Sequence, residues 1–96
     1  MLVAVAQFEL FMPYNHSLKE KRQILNKLKE KVYQKMKLTI GEVDHHELWQ
    51  RASLGMAVVG SEAAVLDSLL TRTMNFIVSL NLGEVSAENR DIFQYD

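Results

Sequence analysis

The sequence predicts an α+β fold with the element order βαββαβ, and three observations carry that prediction. Two stretches, Leu2 to Phe11 and Leu54 to Ser61, are apolar on both alternating sides, as strands inside a sheet must be. Two longer stretches, opening at Leu18 and Glu62, repeat apolar residues at helical spacing. Chain breakers fall between them: Pro13 and Asn15 after the first strand, Asn81 and Gly83 after the second helix.

In the first strand Leu2, Ala4, Ala6, Phe8 and Leu10 face one way, while Val3, Val5, Gln7, Glu9 and Phe11 face the other. MPYNHS turns the chain, and Ser17 followed by Glu20 forms a capping box that satisfies orphan amides at a helix start. The helix runs to about Lys35, with Leu18, Ile24, Leu25, Leu28, Val32 and Met36 as its apolar stripe. KLTIGEVD, Lys37 to Asp44, reads as a short strand through Thr39, Ile40 and Val43. LGMAVVGS follows as the third strand, and Ser61 is the expected N-cap of a helix from Glu62 to about Leu80. The stripe of that helix is Val65, Leu66, Leu69, Thr73, Phe76, Ile77 and Leu80. EVSAENRDIFQYD is the last strand, with a bulge or break expected over Ala87 to Arg90. Two βαβ-like halves of this size give the ferredoxin-like arrangement, a four-stranded antiparallel sheet with both helices on one face. Residues 1–96 are expected to form a single domain. The face without helices then exposes aliphatic residues of the middle strands, which favours protein contact, most simply a symmetric homodimer.

Composition narrows the chemistry. Hydrophobic residues at 48% with charged residues at 24% describe a folded chain rather than a disordered one. With no cysteine there is no thiolate nucleophile, disulfide or Cys-ligated metal centre. The absence of disulfides fits a cytoplasmic protein. No apolar run reaches the roughly 20 residues that span a bilayer, so no membrane association is expected. The N-terminal MLVAVAQFELF lacks the basic leader and cleavage site of a signal peptide.

A net charge of −1 conceals a division: eight of the eleven basic residues lie between Lys19 and Lys37, against Glu20 and Glu30 alone. That segment attracts phosphates over a Debye length. Lys19, Lys21, Arg22, Lys27, Lys29 and Lys31 are the candidate nucleic-acid contacts, although stems bordering the apolar stripe also serve to cover the core.

The segment EVDHHELWQRAS, Glu42 to Ser53, concentrates polar side chains with chemical potential. Asp44, His45, His46 and Glu47 all carry ligating atoms, yet consecutive residues diverge on a strand or helix and do not converge on one ion. A metal site would need a distant ligand such as His16, so neither metal nor cofactor is expected. His45 and His46 are the candidate general acid–base groups, and Glu42 or Glu47 could orient one of them. Without a recognisable nucleophile, a His-dependent hydrolase is the weakest of the readings. Trp49 is expected to tuck inward and close the end of the core, with base stacking or partner anchoring as its alternative use. His45, His46, Trp49, Gln50 and Arg51 are accordingly the candidate loop or partner contacts.

SLKEKRQILNKLKEK, Ser17 to Lys31, followed by EVDHHELWQRASLGMAVV, Glu42 to Val59, resembles the YlxP-like family of small bacterial proteins without an assigned function. The resemblance runs over nearly the whole chain. It implies the same ferredoxin-like fold, a cytoplasmic setting, and, through gene neighbourhood with translation and ribosome maturation, a link to RNA or the ribosome. It carries no catalytic residues. The expectation is therefore a binding module, not an enzyme: RNA- or ribosome-associated, or a scaffolding domain that acts through a homodimer.

Overall fold

The computed structural model of the chain describes all 96 residues. The elements run β1 (Leu2–Phe11), α1 (Leu18–Met36), β2 (Gly41–Asp44), β3 (Arg51–Gly60), α2 (Ala63–Ser79) and β4 (Glu84–Gln94). The four strands form one antiparallel sheet in the order β2-β3-β1-β4. This is the ferredoxin-like arrangement that the order of elements predicts. No helix is long and apolar enough to cross a membrane.

The register explains which side of each strand is buried. Ala4, Ala6, Phe8 and Leu10 of β1 stand opposite Val58, Met56, Leu54 and Ala52 of β3. All of these but Val58 are buried. They pack with Leu25, Leu28 and Val32 of α1 and with Leu66, Leu70, Met74 and Ile77 of α2 into one hydrophobic cluster. Because side chains alternate along a strand, the other face carries Val3, Val5, Gln7, Glu9 and Phe11 opposite Val59, Ala57, Gly55, Ser53 and Arg51. Leu54 and Met56 thus belong to the helix-covered face. The open face is aliphatic at one end and polar at the other.

α1 begins as its capping residues require. Ser17 Oγ accepts from the Glu20 amide at 3.1 Å, and Glu20 Oε2 accepts from the His16 amide at 3.0 Å, one residue before the cap. Lys37 adopts a left-handed φ of 58° and ends the helix, its amide donating to the Tyr33 carbonyl. The strand expected from Lys37 is shorter, because pairing with β3 starts at Gly41. Leu38 and Ile40 are buried in the core ahead of it. α2 is capped at Glu62, without a side-chain hydrogen bond, and not at Ser61. Its buried residues include Leu70 and Met74, whereas Val65 is exposed. Asn81 takes the left-handed conformation just beyond the helix. A Cβ on Gly83 would lie 2.7 Å from the Phe11 carbonyl oxygen, so only glycine lets this turn approach the end of β1.

The expected irregularity in β4 is a bulge. Gln7 pairs with Asn89 but Glu9 pairs with Ser86, so Ala87 and Glu88 of β4 oppose Phe8 alone on β1. Ala87 supplies the turn with a left-handed φ of 53°. Beyond the bulge Arg90 reaches under the sheet to α2. Its Nη1 donates to Asp67 Oδ1 at 2.9 Å and Thr71 Oγ1 at 2.9 Å, and its Nε donates to Glu88 at 2.6 Å. Burial works against the charged guanidinium, but the hydrogen bonds and charges of Glu88 and Asp67 outweigh it and raise its pKa. The group therefore stays cationic wherever the fold is stable.

A non-glycine residue in the left-handed region costs about 1–2 kcal/mol, and the extra freedom of an unfolded glycine returns about 0.4–1 kcal/mol of that. Ala87→Gly is expected to stabilise the protein by about 0.5–1 kcal/mol, a rise of a few degrees in Tm read by thermal melting. An unchanged or lower Tm would show that Ala87 is not strained.

Candidate functional site

The basic helix does not present all its cations to solvent. With Leu18 as origin and about 100° per residue, the buried stripe of Leu25, Leu28 and Val32 centres near 310°, and Lys21 falls at about 300°. Lys21 thus points inward and is 2% exposed. Its Nζ donates to the His45 carbonyl at 2.7 Å and sits 2.7 Å from Glu42 Oε2 on β2. That carboxylate oxygen is buried and no donor is aligned with it, so the ammonium charge is what neutralises it. The expectation that Lys21 binds phosphate is therefore overturned. Its angular position on the stripe is the sequence signal that identifies it as structural.

The other candidates remain on the surface: Lys19, Arg22, Lys27 and Lys31 are exposed and Lys29 is half-buried. Ion pairs join Lys21 to Glu42, His45 to Glu9, and Arg90 to Asp67 and Glu88. None involves these five residues. Nearer the end of α1 the cations find aromatic faces: Lys35 Nζ lies 5.8 Å from the Phe76 ring centre, and Lys37 Nζ 5.8 Å from that of Tyr33. The outer face of α1 thus carries cations that form no ion pair, although Glu20 and Glu30 share the helix.

His45 connects this helix to the open sheet face. It has a left-handed φ of 62°, held by its amide donating to Asp44 Oδ1 at 2.7 Å and by Lys21 at its carbonyl. Its ring turns the other way, with Nε2 3.5 Å from Glu9 Oε1, an ion pair whenever the imidazole is protonated. The second oxygen of Glu9 accepts from Ser53 Oγ. Glu9, Glu42 and Ser53 thus complete a network that sequence spacing does not reveal, since its members lie on three strands. His46 is exposed beside it and lines a recess of about 250 Å³ with Leu18, Lys21, Arg22 and Glu42. The two histidines do not converge.

Trp49 is 54% exposed, contrary to the expectation that it closes the core. Leu38, Ile40 and Met12 fill the interior instead. The connection that carries Trp49 is pinned at its backbone to the MPYNHS turn. The buried Asn15 donates from Nδ2 to the Trp49 carbonyl at 3.3 Å. Gln50 Nε2 donates to the carbonyls of Pro13 at 3.0 Å and Asn15 at 3.2 Å. The Met12 amide donates to the Gln50 carbonyl at 2.7 Å. Arg51 lies over the Phe11 ring, 5.3 Å from its centre.

The family model described as "Protein of unknown function (DUF503)" matches residues 3–90. The "Uncharacterized protein YlxP" of Bacillus subtilis (strain 168) is 33% identical over 78 residues, covering 81% of this chain and 85% of that protein. Among solved structures, the structural-genomics protein YJCS matches with a TM-score of 0.51 at 15% identity, over 93% of this chain and 96% of its own. That likeness shows a shared fold.

Removing one partner of a buried ion pair leaves the other uncompensated and costs about 3–5 kcal/mol. Lys21→Met is expected to destabilise the fold by an amount near the lower end of that range, because Glu42 keeps some exposure. Adding Glu42→Gln to Lys21→Met should recover most of the loss in denaturant unfolding. A double variant no more stable than Lys21→Met would mean that the pair is not coupled.

Proposed function

We propose that this chain, which belongs to the DUF503 family of proteins of unknown function, is a non-catalytic module that holds RNA phosphates on the outer face of α1. The role this supports is an RNA- or ribosome-associated accessory one. The observation that carries the reading is the set of five surface cations at Lys19, Arg22, Lys27, Lys29 and Lys31 with no ion-pair partner. Unpaired lysine and arginine side chains release counterions when they meet a phosphate backbone, and this dominates sequence-independent affinity. Three further acids, Glu84, Glu88 and Asp91, lie on β4 at the edge of the sheet away from β2.

A second reading rests on the aliphatic end of the open sheet face. Val3 stands between Val59 and Phe93 in register, and Val59 is 60% exposed. These residues, with Val5 and Ala57, form an uncovered apolar patch that a second copy of the chain could bury about a two-fold axis.

Affinity for RNA should fall with rising salt, and four to five phosphate contacts give a log–log slope of about −3 for a single strand. Lys19→Glu combined with Lys27→Glu is expected to flatten that slope and weaken binding at least about tenfold, read by fluorescence anisotropy of labelled RNA. Binding unmoved by either change would remove the α1 reading. For the second reading, light scattering at micromolar concentration should give a dimer that Val59→Glu converts to a monomer. A monomeric parent protein would remove it.

A further inference from the structure

The exposed tryptophan adds a site of different chemistry beside the charged helix. Phe11, Glu47, Leu48, Trp49, Gln50 and Arg51 line an open depression of about 500 Å³. An exposed indole is costly to leave in water unless something covers it, and most exposed aromatic rings are free to move. Here the main chain is held after the ring by Asn15 at the Trp49 carbonyl and by the bonds of Gln50 to Met12, Pro13 and Asn15, and before it by the Leu48 amide donating to the His45 carbonyl. The platform is therefore set in place before any ligand arrives, which lowers the ordering cost of binding.

We propose that this depression receives one unpaired base of single-stranded RNA, stacked on Trp49. The inference rests on the α1 reading and names the form of nucleic acid that it takes. Three observations select a nucleotide over an apolar side chain of a protein. Arg51 forms no ion pair and sits over the Phe11 ring, so a guanidinium and a second aromatic ring line the same depression as the indole. Planar groups of this kind stack on any base regardless of its identity. Glu47 provides carboxylate acceptors at the rim, which suit the amino group of a base edge and repel phosphate. The start of the basic helix is tied to this connection through the main chain: Asn15, which holds the Trp49 carbonyl, is two residues before the Ser17 cap of α1. From there Lys19 and Arg22 open the cationic face. A strand whose backbone meets α1 at its start would reach this depression by passing around the end of the sheet, where Asn15 joins the two segments. A base paired within a duplex presents no free face to the indole.

Trp49 is the only tryptophan in the chain, so its emission reports on this site alone. The test compares a single-stranded oligoadenylate, an RNA duplex of the same length, and heparin as a polyanion without bases. The single strand should quench and shift Trp49 emission at saturation, whereas heparin and the duplex should bind through α1 with little change in emission. In anisotropy with labelled single-stranded RNA, Trp49→Ala should weaken binding about tenfold or more with the salt slope intact. Trp49→Phe should restore most of the loss. Emission unchanged at saturating RNA, or a Trp49→Ala variant that binds as tightly as the parent, overturns the stacking site and leaves the α1 reading standing. No binding of RNA or heparin at low salt overturns both. A Trp49→Ala change that dissociates a dimer while RNA affinity holds would assign the platform to self-association, and that also overturns the proposal.

Discussion

An ammonium group cannot enter a protein interior without a counter-charge and acceptors, and Lys21 enters nearly completely. Its demands organise the region around it. Glu42 must come from β2 to supply the charge. The carbonyl of His45 turns inward to accept a hydrogen bond from it, and His45 has a left-handed backbone at that point. β2 is only four residues long and would be a weak edge by itself. The ion pair ties it to α1, and His45, the residue just after β2, sends its ring to Glu9 on the other side of the sheet. One buried cation therefore couples the basic helix, the edge strand and the connection that displays Trp49.

That coupling defines how much could be read from the chain beforehand. α1 is legible almost to the residue because three local signals agree: a cap at Ser17, a periodic stripe, and polar residues elsewhere. Even the inward position of Lys21 follows from its angle on the stripe, once the angle is allowed to outweigh the residue type. α2 is less legible. Val65, Leu66, Leu69, Leu70, Met74, Phe76, Ile77 and Val78 surround so much of the helix that periodicity alone does not choose a face. The sheet makes the choice, burying Leu70 and Met74 and leaving Val65 outside. The bulge in β4 is announced by polar residues in SAENR, though not the conformation of Ala87.

The candidate site was hidden for a different reason. Its positions depend on bonds between segments far apart in sequence, such as Asn15 to Trp49 and Ser53 to Glu9. A tryptophan in a small domain is normally assigned to the core by its area alone. Here the long connection after β2 is held to the MPYNHS turn through its backbone, so the side chain is not required inside. Area-based reasoning fails where polar atoms do the anchoring. The open sheet face shows the complementary case, since strand alternation correctly separates its residues from the core but does not state how far the aliphatic part extends. Only the register with Asp91, Asn89 and Arg51 shows that it stops midway.

The kink at Ala87 also bears on what the sheet avoids. β4 is an outer strand of eleven residues, long enough to template another chain along its free edge. The extra residue breaks the repeat of amides and carbonyls partway along, and Glu84, Glu88 and Asp91 add repulsion between identical copies. On the opposite margin the outer strand ends after four residues. Neither border offers the straight, uncharged ladder on which fibrils grow, so the protein can tolerate a partly greasy sheet without polymerising edge to edge.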